Sequence, residues 1–122
     1  MILGVGIDLI AIRRIADAIE RHPRFLARVY TDAEQRAISD KGAQTAAGYF
    51  AVKEAVAKAL GTGFRGFGFR DISVEPDTLG RPVARLTGGA LERMRALGGN
   101  GVFVSVTHAD GMAAAVAVLE GP

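Results

Sequence analysis

Residues 43–60 read AQTAAGYFAVKEAVAKAL. Gly42 breaks whatever precedes this run and Gly61 is a natural stop, so the stretch predicts one long helix, Ala43 to about Leu60. At about 100° per residue, Val52, Val56, Ala59 and Leu60 gather on one side. Ala47, Phe50, Ala51, Glu54 and Lys58 gather on the other. A helix apolar nearly all round is expected to be covered on both sides. Glu54 and Lys58 then stand one turn apart on a stripe made largely of alanine. A buried acid there needs a partner, because uncompensated burial of charge is costly. Taken alone, the two are an ordinary helical ion pair, worth roughly 0.3 kcal/mol.

The first residues change that balance. Ile2 to Ile10 read as a buried strand, with Leu3, Val5, Ile7 and Leu9 on one face and Ile2, Gly4, Gly6, Asp8 and Ile10 on the other. Asp8 is the only charge in it. Gly4 and Gly6 clear the aspartate's face, so that another element or a ligand can come close. An aspartate in this position is most often a strand-end cap or turn former. Two carboxylates, an amine and no cysteine nevertheless suit a hard-cation site carrying phosphate. Magnesium prefers one or two protein carboxylates, waters and substrate phosphate oxygens. No Walker loop is present, since Gly61-Thr62-Gly63 lacks the Lys-Ser/Thr ending.

Between these blocks, Ile12 to about Glu20 is helical, Pro23 ends it, and Phe25 to Tyr30 is a short helical turn. Thr31 with Glu34 forms a capping box that opens a helix to about Ser39. Beyond the long helix, Ile72 to Glu75 and Val83 to Leu86 form a hairpin around Asp77-Thr78-Leu79-Gly80. Ala90 to Leu97 is a helix ended by Gly98-Gly99. Val102 to Thr107 and Ala113 to Leu119 pair across Asp110-Gly111. The order implies one α+β domain, residues 1–122, with a mainly antiparallel sheet.

The chain's 122 residues, 49% of them hydrophobic, suit a single core. With no cysteine, disulfides and thiolate chemistry are excluded. The N-terminus has no basic region and its apolar run is cut by Asp8, so no secretory signal and no bilayer span are expected; a cytoplasmic location is expected. The net charge is only +2, but Arg13, Arg14, Arg21, Arg24 and Arg28 crowd between Ile12 and Tyr30 against only Asp17 and Glu20. Part of this segment must pack on the sheet. Its single-sign face with an apolar rim also suits an acidic partner.

Three blocks resemble one family, the holo-acyl-carrier-protein synthases, the small class of 4'-phosphopantetheinyl transferases. Gly4-Val5-Gly6-Ile7-Asp8 resembles its opening. Residues 50–63, from Phe50-Ala51-Val52-Lys53-Glu54 through Lys58 to Gly61-Thr62-Gly63, resemble its central motif, and Val104-Ser105-Val106-Thr107-His108 its closing strand. The resemblance implies transfer of phosphopantetheine from coenzyme A to a serine of an acidic acyl carrier protein. It implies Asp8 and Glu54 as magnesium ligands and Lys58 at the pyrophosphate. The base that activates the serine is either Glu54 or a water beside the metal. It further implies Gly61, Gly63 and His108 near coenzyme A, and carrier contacts at Arg14, Arg21, Arg24, Phe25 and Arg28. It also implies a homotrimer with sites between subunits, where His108 serves a neighbour's site. As a strand-end histidine beside a turn, His108 is equally read as plain surface. One departure stands out: where the family often has an arginine for the 3'-phosphate of coenzyme A, this chain has Tyr49, with Arg65 and Arg70 as candidate substitutes. Two other readings compete. One is a nucleic-acid module using the arginine segment, which lacks any recognised motif. The other is a non-catalytic trimeric scaffold in which Asp8, Glu54 and Lys58 are structural ion pairs.

Overall fold

A computed structural model describes residues 1–122. The elements run β1 (Ile2–Ala11), α1 (Ile12–Arg21), α2 (Phe25–Val29), α3 (Asp32–Lys41), α4 (Ala43–Ala59), a short 3-10 turn (Phe69–Asp71), β2 (Ile72–Pro76), β3 (Pro82–Leu86), α5 (Gly88–Ala96), β4 (Gly101–Ala109) and β5 (Met112–Glu120). Every strand pairing is antiparallel, as the α+β reading expects. The expected single sheet is instead two: β1-β5-β4, and the β2-β3 hairpin by itself.

The sequence sets most of these boundaries by its turn residues. Thr31 and Glu34 close a reciprocal capping box at the start of α3. Asp110 and Gly111 both have positive φ, 51° and 74°, the geometry a tight hairpin between twisted strands requires. Helix α5 begins two residues earlier than expected, at Gly88, whose φ of 52° is a conformation that favours glycine.

Helix α4 lies across the three-stranded sheet and is the centre of the core. It is buried almost all round, at Ala46, Ala47, Ala51, Val52, Ala55, Val56, Ala57 and Ala59. The sheet face beneath it is built of small residues, Ala113, Ala115 and Ala117 on β5, flanked by Gly4 and Gly6 on β1. A Cβ on Gly6 would lie 2.8 Å from the Ala55 carbonyl carbon and from the Ala59 nitrogen, and nearer still to the Ala55 oxygen. Glycine here admits the helix backbone directly against the strand. At its other end the same helix meets β4, where Gly48 faces His108 and Val106.

β1 is not buried on both faces as expected. Its outer side chains Val5, Ile7 and Leu9 are 59%, 67% and 64% exposed. They line up through the register with Val118, Val116 and Ala114 on β5 and with Phe103, Ser105 and Thr107 on β4. The sheet is therefore covered by α4 on one side and open on the other, with an apolar strip running across all three strands. No helix is long and apolar enough to cross a membrane.

Candidate active site

Strand alternation puts Asp8 on the same face as Gly4 and Gly6, and the close seating of α4 then brings it to the helix. Lys58 donates to the Ile7 carbonyl oxygen at 2.9 Å and to Asp8 Oδ1 at 3.4 Å. The amine is half exposed and the aspartate largely buried. Lys58 thus pairs with the strand and not with Glu54, one turn away on its own helix. Glu54 is half-buried beside them. Burial first, then the negative charge of Asp8, pushes its carboxyl above the usual range, and Lys58 only partly offsets this. Two carboxylates that repel, with one cation beside them, form a site that gains from an added positive charge.

The donor set can be tested for fit. Asp8 and Glu54 offer hard oxygen atoms only, and no third histidine, cysteine or carboxylate joins them. Zinc or a closed calcium cage needs more protein ligands. Two carboxylates beside a half-exposed amine fit magnesium, which takes one or two protein carboxylates and fills the rest of its shell with waters and phosphate.

Helix α4 ends at Leu60, and Gly61 and Gly63 follow with φ of 82° and 61°, conformations that favour glycine. A side chain at Gly63 would meet nothing within 4 Å, while beyond it the Gly66 carbonyl abuts Gly89 of α5. Arg93 of α5 donates to the Leu60 carbonyl at 3.0 Å, closing the helix end next to this loop.

His108 is not brought to this cluster within one chain. It stands on β4, two strands from β1 and so about 10 Å away or more. Its Nε2 lies 3.1 Å from the Gln44 carbonyl oxygen, at the opposite end of α4 from Glu54, about 15 Å along the helix. There it lines a cleft of about 270 Å³ with Lys41, Thr45, Gly48, Tyr49 and Glu75. Tyr49 therefore does face a cavity. Arg70 does not: it donates to Ala27 O at 2.9 Å and pairs with Asp32. Lys41, which sequence reasoning passed over, is the cation on the cleft.

The arginines of the expected partner face are on the surface. Arg14 and Arg21 are exposed on α1, and Arg24 and Arg28 are exposed at α2. Phe25 is half-buried, its ring stacked on Phe50 of α4 at 6.3 Å and edge-on to Tyr30 at 6.0 Å.

The deepest charges were missed. Lys53 and Glu34 have 0% and 2% of their side-chain surface exposed and pair at 2.7 Å. Burial pulls the Lys53 amine down and Glu34 draws it back. A signal existed: the helical neighbours of Lys53 at i±3 and i±4, Tyr49, Phe50, Val56 and Ala57, are all uncharged. A lysine so surrounded is inside and must have a partner.

The profile of the 4'-phosphopantetheinyl transferase superfamily matches residues 4–116. A holo-[acyl-carrier-protein] synthase of Clostridium novyi is 47% identical over 122 residues, covering 98% of this chain and 88% of the relative. The crystal structure of the synthase from Neisseria meningitidis superposes with a TM-score of 0.89 at 31% identity, covering 98% of this chain and 99% of that one. The Helicobacter pylori synthase, solved in complex with coenzyme A, gives 0.84 at 32% identity, covering 95% and 99%. With the profile spanning most of its length and a relative 47% identical along 98% of it, this chain belongs to the 4'-phosphopantetheinyl transferase superfamily.

Proposed function

We propose that this chain is a magnesium-dependent holo-acyl-carrier-protein synthase, transferring 4'-phosphopantetheine from coenzyme A to a serine of an acidic apo carrier protein. The serine oxygen attacks the phosphorus that bears pantetheine. The bridging pyrophosphate P–O bond breaks, adenosine 3',5'-bisphosphate leaves, and the serine proton passes to a base. The observation that supports this reading most is the meeting of Asp8 and Glu54 across the β1–α4 contact, with Lys58 bonded to Asp8.

Asp8 and Glu54 would hold the ion. When bound, magnesium neutralises the pyrophosphate and withdraws charge from it. Lys58, anchored on the strand and half exposed, is free to swing onto the leaving phosphate and offset its growing charge. Gly61 and Gly63 let the backbone after α4 come close to the diphosphate. The cleft between Lys41, Tyr49 and His108 takes the nucleotide end, with Lys41 supplying the charge that Tyr49 lacks. Carrier docks on Arg14, Arg21, Arg24, Phe25 and Arg28.

Within one chain the cleft and the carboxylates stand too far apart to share one substrate simply. A homotrimer resolves this by setting the His108 end of one subunit against the Asp8 end of the next. The open apolar strip through Val5, Ile7, Leu9 and Phe103 favours such assembly, since contiguous exposed patches of this kind mark interfaces. The setting is cytoplasmic, where carrier and coenzyme A both occur.

The test is to incubate the protein with apo carrier, coenzyme A and magnesium and weigh the carrier. Addition of one phosphopantetheinyl group, abolished by chelator, is expected. No addition together with tight, salt-sensitive RNA binding would replace this reading with a nucleic-acid module. Sedimentation at micromolar concentration should give three chains per particle.

A further inference from the structure

Lys53 and Glu34 touch none of the groups assigned to the chemistry, yet every polar atom they own is engaged. Lys53 Nζ donates to Glu34 Oε1 at 2.7 Å, to the Phe69 carbonyl at 3.0 Å and to the Ile72 carbonyl at 2.6 Å. Glu34 Oε1 also accepts from Thr31 N at 2.8 Å, and its Oε2 accepts from Val74 N at 2.6 Å. An amine has three protons, and all three are used. The partners lie on α3, on the 3-10 turn that ends the loop after α4, and on β2.

Such a buried pair is a weak source of stability, since apolar residues of similar volume do as well. Its hydrogen bonds are directional, however, and two of them seize the return end of the loop that begins at Gly61. The Phe69 ring, whose carbonyl Lys53 holds, stacks on Phe64 at 4.0 Å and on Phe50 of α4 at 5.3 Å. Phe64 follows Gly63 directly. A continuous line of contact therefore runs from the buried amine through two stacked rings to the glycines. The glycines, with positive φ, donate back to the last turn of α4, Gly61 N to the Lys58 carbonyl at 3.0 Å and Gly63 N to the Ala57 carbonyl at 3.3 Å, and the stacked rings hold the loop that leaves them.

We propose that Lys53, paired with Glu34, is a positioning residue that fixes the 61–71 loop over the end of α4, so that Gly61 and Gly63 keep their register to Lys58 and receive coenzyme A. This rests on the transferase reading above. Lys53 acts through the loop and meets no substrate atom. Losing it should weaken coenzyme A binding more than carrier docking at Arg14 and Arg21, which lie on α1 away from the loop.

The experiment compares wild type with Lys53→Met and with the double variant Lys53→Met/Glu34→Gln, which leaves no unpaired buried charge. Phe64→Ala is a further variant that cuts the ring contact and spares the pair, and it carries the same expectation should the double variant not fold. Amide exchange within residues 61–71 should quicken at least ten-fold while β1, α4 and β5 stay protected. Affinity for coenzyme A by calorimetry should fall at least ten-fold. Folded variants whose loop exchange and coenzyme A affinity both stay within two-fold of wild type would overturn the assignment. If wild type modifies no carrier, the transferase reading fails by itself, and the exchange data still decide whether Lys53 anchors the loop.

Discussion

Replacing Gly6 with alanine adds one carbon and two hydrogens, yet it should disable this protein. The new Cβ would stand 2.8 Å from the Ala55 carbonyl carbon and the Ala59 nitrogen. Carbon atoms rest at about 3.5 Å or more, so α4 must retreat by at least roughly 0.7 Å, and by well over about 1 Å once the closer Ala55 oxygen is included. These are backbone atoms of a helix packed on both sides, so no rotamer change can relieve the clash. Overpacking of this kind costs about 1–3 kcal/mol. For a domain of this size the melting temperature should drop by roughly 5–10 °C. The functional loss should be larger than the stability loss suggests. Glu54 precedes Ala55 and Asp8 follows Gly6 by two residues, so the retreat opens the gap between the two carboxylates. A misplacement of about 1 Å costs about 10²-fold in rate. Carrier modification at saturating magnesium should therefore fall about a hundred-fold at 20 °C, where the variant is still folded. Gly101→Ala is the control: it has ordinary φ and nothing within 4 Å of the added carbon, and should match wild type. A Gly6→Ala protein with wild-type melting temperature and turnover would refute the claim that strand and helix backbones are in direct contact.

Glu54→Gln and Asp8→Asn should keep the fold, measured by circular dichroism, and lose turnover by at least 10³-fold; full activity in both would remove the metal assignment. The Glu54 carboxyl is raised, so ionising it opposes folding: the metal-free protein should be most stable where Glu54 is protonated and lose stability as pH climbs from the ordinary carboxylate range through the raised value. Thermal melts should show that loss reduced by magnesium and absent in Glu54→Gln. Lys58→Met removes an ion pair exposed enough to be worth less than about 1 kcal/mol, so melting should hardly change while turnover collapses. Charge reversal at Arg14 or Arg24 should raise the KM for carrier about ten-fold or more and leave affinity for coenzyme A alone; unchanged carrier affinity would remove α1 as the docking face.

How much could be read from the chain follows from what kind of information each feature needs. The hairpin at Asp110-Gly111 and the cap at Thr31 and Glu34 are local, and local turn chemistry was enough. Alternation along β1 correctly put Asp8 and the glycines on one face, but it cannot tell which face meets a neighbour. Val5, Ile7 and Leu9 looked like core and face outward, because α4 covers only the opposite face of the sheet. Glu34 was legible as a cap and not as the counter-ion of Lys53, since a pairing across 19 residues depends on how two helices meet. The cleft around Lys41 and Tyr49 joins α3, α4, β2 and β4, and nothing in a linear pattern announces such a convergence. The carboxylate cluster lay in between. The glycines hinted that something approaches Asp8, and the packed structure shows it to be α4.

Strand β1 passes into α1 with no residue between them, since Ala11 closes one and Ile12 opens the other. Six positions separate Asp8 from Arg14, and rigid secondary structure spans them all. Such a join behaves as a molecular ruler. Inserting one residue after Ala11 would turn every arginine of α1 by about 100° around the helix while leaving Asp8 untouched. Partner choice could thus be retuned on one side of that join and chemistry on the other, each without disturbing its counterpart.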